Sequence, residues 1–230
     1  MSSAGDSRQE ILLISDYPTI ITLCKSSPFY QEICQTPLFW ERKLKRDFGI
    51  TSEDLSLFLG GNAKDKYEWI MKIDPDQGLV EASKMGISSL VDYFLSKGAT
   101  AFNDAMIEAS FRGYSNIVEI MLRQGANDYN SALLAATQGG YIDIVELMVE
   151  LGATEYDEAM AEAAIYGYID IVKLMLEYGA EDYDGTMAAA AWGGYLDIVE
   201  LMLENGATDY NSALLAATMK GHQDIIFRLS

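Results

Sequence analysis

Few side chains in this sequence could carry out catalysis. It has one histidine, His222, and two cysteines, Cys24 and Cys34. These numbers exclude a disulfide framework and disfavour a Cys/His metal site. No serine or cysteine can be paired with a convincing general base, and carboxylate pairs such as Asp157-Glu158 recur as turn and cap residues. We therefore predict that the chain is not an enzyme and holds no cofactor and no metal.

Two short segments have the residue types of ligand-binding loops without the required spacing. LGGNAKDK at residues 59–66 has glycines and Lys64, but not the GxxxxGK spacing that cradles a phosphate. DPDQG at residues 74–78 is similar to the start of a calcium loop, yet its glycine comes one place early. The twelfth position of that loop holds Met85 instead of glutamate. Neither segment is predicted to bind its ligand.

Composition narrows the class of protein further. Half of the 230 residues are hydrophobic, which is enough for a sizeable core, and the formal net charge is -19. Such acidity opposes nucleic-acid binding, which needs clustered lysine and arginine. The N-terminus lacks the pattern of a signal peptide, and no apolar run reaches the ~18 residues that span a bilayer. We expect an intracellular, soluble, monomeric protein that contacts no membrane.

Most of the chain consists of a repeated sequence. A Gly-Ala pair begins at Gly98, Gly125, Gly152, Gly179 and Gly206, a constant step of 27 residues. One further step back gives a divergent copy that keeps Ala82 and Gly86. Six repeats are therefore predicted over residues 71–230, with bounds 71–97, 98–124, 125–151, 152–178, 179–205 and 206–230.

Conserved positions within the repeat predict a helix–turn–helix unit. Counted from the first glycine, position 6 is Asn or Asp and precedes an apolar stretch, so we interpret it as the N-cap of a first helix. These candidate N-caps are Asn103, Asn130, Asp157, Asp184 and Asn211. Position 16 is always glycine and is predicted to end that helix in the left-handed conformation. These glycines are Gly113, Gly140, Gly167, Gly194 and Gly221.

The second helix is predicted to begin near position 18, as in YIDIVELMVE. Its polar residues fall at positions 19, 22 and 26 and its apolar residues between them, which gives one solvated stripe on an otherwise buried helix. A single helix pair cannot bury these apolar faces, so successive pairs must stack. The predicted fold class is therefore an all-α solenoid with a short, 27-residue repeat.

Positions 11, 14 and 15 vary while the rest of the repeat is nearly constant, which marks them as candidate binding positions at the end of the first helix. Several hold the large apolar or cationic residues that anchor interfaces. The residues predicted to contact a target are Phe111, Arg112, Gln138, Ile165, Tyr166, Trp192, Met219 and Lys220. The alternative is that these residues pack on neighbouring repeats.

The repeat resembles an ankyrin repeat. The family pattern TPLHxAAxxGHxxIVxxLLxxGA becomes SALLAATQGGYIDIVELMVELGA here, and His222 stands where that pattern has histidine. The usual proline is replaced, for example by Ala132, and about six residues that would form a β-hairpin finger are missing. The resemblance implies an ankyrin-repeat solenoid that binds proteins on its concave face. Such short repeats look like those of large DNA viruses that infect protists, which implies a virus–host interaction.

The first 50 residues resemble an F-box domain. TPLFW at residues 36–40 is similar to the family's DPxLW ending, and IITLC at residues 20–24 to its central LLxL stretch. The family's opening Leu-Pro is missing at residues 9–13. Residues 51–70 are predicted to be a helical connector. The resemblance implies docking on a Skp-type adaptor through Ile11, Leu12, Ile14, Pro18, Ile20, Ile21 and Leu23. Equally, these residues could be the core of a cap on the solenoid.

Two functions follow from these resemblances. In the first, the N-terminal domain joins a host cullin–RING (SCF-type) ubiquitin ligase in the cytoplasm and the repeats recruit an unknown target protein. In the second, the protein is an interaction scaffold or competitor without any link to a ligase. The repeats carry most of the negative charge, with 8 basic and 25 acidic residues in 71–230. We interpret this charge mainly as a solvated face that keeps a solenoid soluble, and a basic partner stays possible.

Overall fold

The computed structural model describes residues 3–58 and 60–230, with side chains from residue 9 onward. It divides into two compact units, Met1–Ala101 and Phe102–Ser230. Throughout the described ranges the regular structure is helical, without a strand. The all-α prediction is therefore confirmed for these residues.

The described residues of the first unit form eight helices. Their bounds are α1 Ser3–Ile14, α2 Tyr17–Ser26, α3 Pro28–Gln35, α4 Pro37–Phe48, α5 Asp54–Leu57, α6 Ala63–Lys72, α7 Pro75–Met85 and α8 Ser88–Ser96. Pro18, Pro28 and Pro37 occupy the first turns of α2, α3 and α4, because a proline there lacks only an N–H that the helix would leave unpaired.

An aromatic cluster forms the core of this unit. Tyr67 of α6 lies with its ring centroid 5.3 Å from that of Trp40 and 5.1 Å from that of Phe48. The indole N–H of Trp40 donates to the carbonyl of Cys34 at 2.8 Å, which satisfies its one polar group inside the core. Trp40 and Phe39 of the TPLFW segment are thus core residues, joining α3, α4 and α6.

A buried lysine links three helices of the same unit. Lys43 of α4 is 2% exposed, and its ammonium donates to the carbonyls of Leu13 and Ser15, each at 2.7 Å. It also pairs with Asp47 at 2.8 Å, and the hydroxyl of Tyr67 donates to the same carboxylate at 2.6 Å. Burial, together with this hydrogen bond, raises the pKa of Tyr67 far above its usual range. Lys43 thereby satisfies the carbonyls at the end of α1.

The two cysteines form a disulfide that the sequence analysis did not predict. Cys24 of α2 and Cys34 of α3 are 10 residues apart, with a Cα–Cα distance of 6.1 Å. The bond closes the α2–α3 hairpin covalently. Two isolated cysteines gave no pattern that distinguishes this pair from two free thiols.

The second unit is a stack of five helix pairs. The first helices are α9 Phe102–Arg112, α11 Tyr129–Gly139, α13 Tyr156–Tyr166, α15 Tyr183–Gly193 and α17 Tyr210–Lys220. The second helices are α10 Ser115–Gln124, α12 Ile142–Glu150, α14 Ile169–Tyr178, α16 Leu196–Glu204 and α18 Gln223–Leu229. Each first helix starts 27 residues after the preceding one, so the predicted helix–turn–helix repeat is confirmed. The pair α7–α8 in the first unit has the same form, with Gly86 ending α7 at φ +77°.

The predicted N-caps are wrong by two positions. Each first helix begins at position 5, and in three repeats the aspartate at position 4 caps it: Asp128, for example, accepts from the backbone N–H of Ser131 at 3.2 Å. Four of the five predicted caps, Asn103, Asn130, Asp157 and Asp184, instead accept from the following repeat. The carboxylate of Asp157 accepts from the N–H groups of Glu181 at 2.6 Å and Asp182 at 2.9 Å. Because the partners are 24 residues apart, no local sequence pattern distinguishes this inter-repeat acceptor from an N-cap.

The same inter-repeat bond recurs along the chain. The acceptors are Asp76, Asn103, Asn130, Asp157 and Asp184, each bonded to one or two backbone N–H groups at the start of the next repeat. Without the β-hairpin finger of a longer repeat, the turn between repeats has few other groups to hold it. These bonds therefore fix the position of each short turn.

Replacing Asp157 with alanine should destabilise the second unit by about 1 kcal/mol, because two backbone N–H groups lose a charged acceptor while water partly replaces it. Asp157→Asn is the matched control, since Asn103 makes the same pair of bonds at 2.7 and 3.1 Å. Urea unfolding followed by circular dichroism measures both variants. Equal stability of the alanine and asparagine variants would contradict this role.

The bond at Asp76 makes a pH-dependent contribution. The N–H of Thr100, followed by that of Ala101, holds the pKa of the Asp76 carboxyl below its ordinary value. A depressed native pKa stabilises the fold above the unfolded pKa of about 4, and this contribution is lost as the pH falls through the native value. Asp76→Asn should therefore be less stable than the wild type at pH 7, and this difference should be smaller at pH 3. Unfolding curves at both values test this, with Asp92→Asn, on the exposed side of α8, as control.

Candidate binding surface

The predicted target-binding residues lie at the carboxyl ends of five adjacent first helices. We call the set Phe111, Arg112, Gln138, Ile165, Tyr166, Trp192, Met219 and Lys220 the first-helix surface. Seven of these side chains are exposed and Ile165 is half-buried. The helices that carry them, α9, α11, α13, α15 and α17, pack in this order along the second unit. The structure thus brings the predicted residues together on one continuous face.

Large apolar side chains on this surface stay in contact with solvent. Tyr166 is 47% exposed and Trp192 41% exposed, whereas Ala163 and Ala190 on the same helices are fully buried. Packing on neighbouring repeats, the alternative interpretation, would have buried the rings. The small residues at position 12 allow the helices to approach closely, so the core is complete without the rings at positions 14 and 15.

Several polar contacts hold the surface in place. The ammonium of Lys220 lies 3.8 Å from the centroid of the Trp192 ring, so a cation from one repeat covers an aromatic face of the preceding repeat. Within a single repeat, the guanidinium carbon of Arg112 lies 5.4 Å from the centroid of the ring of Phe111, the preceding residue on α9. The amide of Gln138 donates to the carboxylate of Glu162 at 2.8 Å. Contacts between consecutive repeats thus pre-position this surface.

Part of the variation at position 15 has a steric cause that the sequence analysis missed. Gly139 and Gly193 occupy this position in two repeats, and a Cβ at either would overlap a carbonyl oxygen of the preceding first helix, that of Phe111 or Ile165. The larger residues at position 15 occur in the alternate repeats. The residue type at position 15 is therefore determined partly by helix packing and not by ligand binding alone.

Aromatic rings at position 17 interlock the repeats beside this surface, and the sequence analysis did not single them out. Each ring lies over the helix-ending glycine of the preceding repeat, in the pairs Gly113–Tyr141, Gly140–Tyr168, Gly167–Tyr195 and Gly194–His222. An imidazole nitrogen of His222 lies 3.1 Å from the carbonyl oxygen of Trp192. The recurrence of an aromatic or histidine directly after the glycine was the available signal. His222 thus has a packing role.

The residues predicted to dock a Skp-type adaptor separate into two groups. Leu12 and Ile20 are fully buried in the core of the first unit. Ile11, Ile14 and Pro18 are exposed, with Ile14 62% accessible, while Ile21 and Leu23 are half-buried. Leu12 and Ile20 are therefore core residues, which was the alternative to a docking role for them.

The segments similar to ligand loops have structural roles where the structure describes them. Asp74 caps α7 by accepting from the N–H of Asp76, and Asn62 caps α6 in a capping box with Asp65. Leu59, which begins the glycine-containing segment, lies outside the described residues. In the described part of the chain no group of three or more metal-ligating side chains comes together. Nor does any helix there have the length and apolar character that crossing a membrane requires.

Comparisons with known proteins agree with this geometry. The family model of ankyrin repeats, in three copies, matches residues 105–186. The crystal structure of the human ASB11 ankyrin repeat domain is similar with a TM-score of 0.55 at 21% sequence identity, over 66% of this chain and 81% of that one. A search of curated proteins gave no match. The fold is therefore an ankyrin-repeat solenoid.

Ankyrin repeats are in general non-enzymatic scaffolds that bind other proteins, and residues 105–186 match the family model of such repeats. The matched residues do not reach the first 50 positions, so the family model lends no support to the F-box resemblance.

Proposed function

We propose that the first-helix surface binds a target protein. The observation that carries this proposal is the row of solvent-exposed side chains Phe111, Tyr166, Trp192 and Met219, which lie on four of the five first helices. Exposed aromatic side chains on a rigid scaffold can lose much apolar surface to a partner at little cost in conformational entropy. The contacts between repeats fix this face before binding.

A single substitution tests this role. Trp192→Ala in the full chain should remove at least one partner that the wild type captures from eukaryotic cells, because a central ring of this kind contributes more than ~1 kcal/mol to binding. Tyr178→Ala is the matched control, since Tyr178 is 40% exposed but lies at the carboxyl end of a second helix. A partner set unaffected by Trp192→Ala would contradict the proposal.

We further propose that residues 1–50 dock a Skp-type adaptor, so that the monomeric protein recruits its target to a cullin–RING ubiquitin ligase in the host cytoplasm. This rests on the resemblance of TPLFW and IITLC to F-box segments. The exposed Ile11, Ile14 and Pro18 supply apolar surface for such a partner. The short helices that begin at prolines are compatible with a small helical docking domain.

Titration with a purified Skp-type adaptor tests this second role. Ile14→Asp should weaken binding at least about tenfold, because it places a charge in an apolar contact. Leu57→Asp, at a 45% exposed position beyond residue 50, should leave binding unchanged. No binding by the wild-type protein, or equal binding by Ile14→Asp, would contradict the adaptor role and leave target binding untouched.

The alternative function is a scaffold or competitor whose N-terminal helices only stabilise the chain. The complete burial of Leu12 and Ile20 favours this alternative, since core residues explain that part of the F-box-like pattern without a partner. It predicts that Ile14→Asp changes no interaction.

A further inference from the structure

We propose that the partner of the first-helix surface is an extended protein segment that carries lysine or arginine at every third residue. This inference rests on the proposed function and adds the chemical class of the ligand. Its basis is the combination of exposed rings and uncompensated negative charge on the second unit.

The charge of the second unit selects a cationic ligand. Residues 102–230 contain 21 acidic and 5 basic residues. Two of those cations are already paired with carboxylates, Arg123 with Glu119 at 3.6 Å and Arg228 with Glu200 at 3.3 Å. Such an excess of one charge attracts ligands of the opposite sign and speeds their association.

The rings themselves accept cations. Two more of the five basic residues, Lys220 and Arg112, lie over the faces of Trp192 and Phe111. Lys220 makes its contact with the ring at 3.8 Å and forms no ion pair within the part of the chain that the structure describes. The Trp192 face is therefore a cation site that the protein fills with its own side chain. A cation from a partner would take the place of Lys220.

Exposed carboxylates recur at a regular spacing along the same repeats. Position 19, two residues beyond the interlocking ring at position 17, is aspartate in four consecutive repeats. These exposed residues are Asp143, Asp170, Asp197 and Asp224. Packed helices lie about 8–10 Å apart, so the carboxylates recur at about that interval along the stack.

This interval matches one backbone conformation of a bound segment. A polyproline II chain rises about 3.1 Å per residue with three residues per turn, so every third side chain points the same way at about 9 Å spacing. Lysine or arginine at every third position would therefore meet one repeat after another. The intervening residues would contact Tyr166 and Met219.

Selection from a random library of peptides about 12 residues long, which span about 37 Å when extended, tests the inference on the full chain. Peptides retained by the wild type and lost on Trp192→Ala should be enriched in lysine and arginine at three-residue spacing. Their affinity should fall as salt rises from about 50 to about 200 mM. Neutral or acidic peptides that depend on Trp192 would overturn the inference and leave the proposed function intact. Absence of any Trp192-dependent peptide would count against both.

Lys220→Met supplies a second readout with a defined sign. If the ligand is cationic, removing Lys220 frees the Trp192 face and one repulsive charge, so a selected peptide should bind about threefold to tenfold more tightly. Weaker binding would show that Lys220 contacts an acidic or neutral ligand directly, and would overturn the inference. Lys173→Met, which removes a charge from a second helix, controls for the change in net charge.

Discussion

Lys43→Met should destabilise the first unit by about 3 kcal/mol, the largest effect of a single side-chain truncation that we expect. The substitution leaves the carbonyls of Leu13 and Ser15 without their donor and Asp47 without its cation, in a site where Lys43 is 2% exposed. Removing one partner of a buried ion pair typically costs about 3–5 kcal/mol, and the partial exposure of Asp47 reduces that cost. Urea unfolding of the full chain measures the effect.

Lys45→Met is the control, because Lys45 is exposed on the same helix, and it should change stability by less than about 0.5 kcal/mol. If the two methionine variants unfold alike, the network from Lys43 through Asp47 to Tyr67 does not hold α1, α4 and α6 together. An increase in stability on Lys43→Met would mean that apolar packing outweighs the ion pair.

Gly167→Ala should destabilise the second unit by about 2–4 kcal/mol. Gly167 has φ +80°, which costs an alanine about 1 kcal/mol, and the new Cβ would overlap the ring of Tyr195 in the next repeat. The interlocking ring would have to move, and the contact between two repeats would weaken. Thermal and urea unfolding both report the loss.

Gly179→Ala separates the two causes. Gly179 has φ +98°, yet a Cβ there would have no neighbouring atom within 4 Å. Gly179→Ala should therefore lower the free energy of unfolding by only about 1 kcal/mol, the cost of placing alanine in the left-handed backbone conformation. Equal losses at Gly167 and Gly179 would show that the aromatic ring at position 17 adjusts freely and does not interlock the repeats.

The repeated fold could be predicted because its determinants are local and recur. Gly140 ends α11 with φ +77°, and Ile142 begins α12, as the sequence pattern indicated. The role of Asp157 could not be predicted in the same way, since its partners lie 24 and 25 residues away and its position before an apolar stretch is also typical of an N-cap. An N-cap and an acceptor for the next repeat both require a short side chain with an oxygen, such as Asp or Asn, so the residue type does not distinguish the two roles.

The first unit was less predictable because it has no internal repeat to compare. The pairing of Lys43 with carbonyls about 30 residues earlier, and of Cys24 with Cys34, depends on how non-repeated helices pack. The F-box-like pattern identified apolar positions but could not separate the buried Leu12 from the exposed Ile14, since cores and docking faces use the same residue types. In the repeats, comparing the copies showed that position 14 varies, and this predicted that Trp192 is a surface residue and not a core residue.

Photo-crosslinking from defined positions tests the central claim, that the first-helix surface is where partners bind. A photoreactive phenylalanine analogue at Trp192 or Met219 of the full chain should form crosslinks to a partner in cells. The same group at Tyr178 is the control, because Tyr178 is 40% exposed and Trp192 is 41% exposed. It should form no crosslinks to that partner. Crosslinks from position 178 and none from positions 192 and 219 would contradict the account.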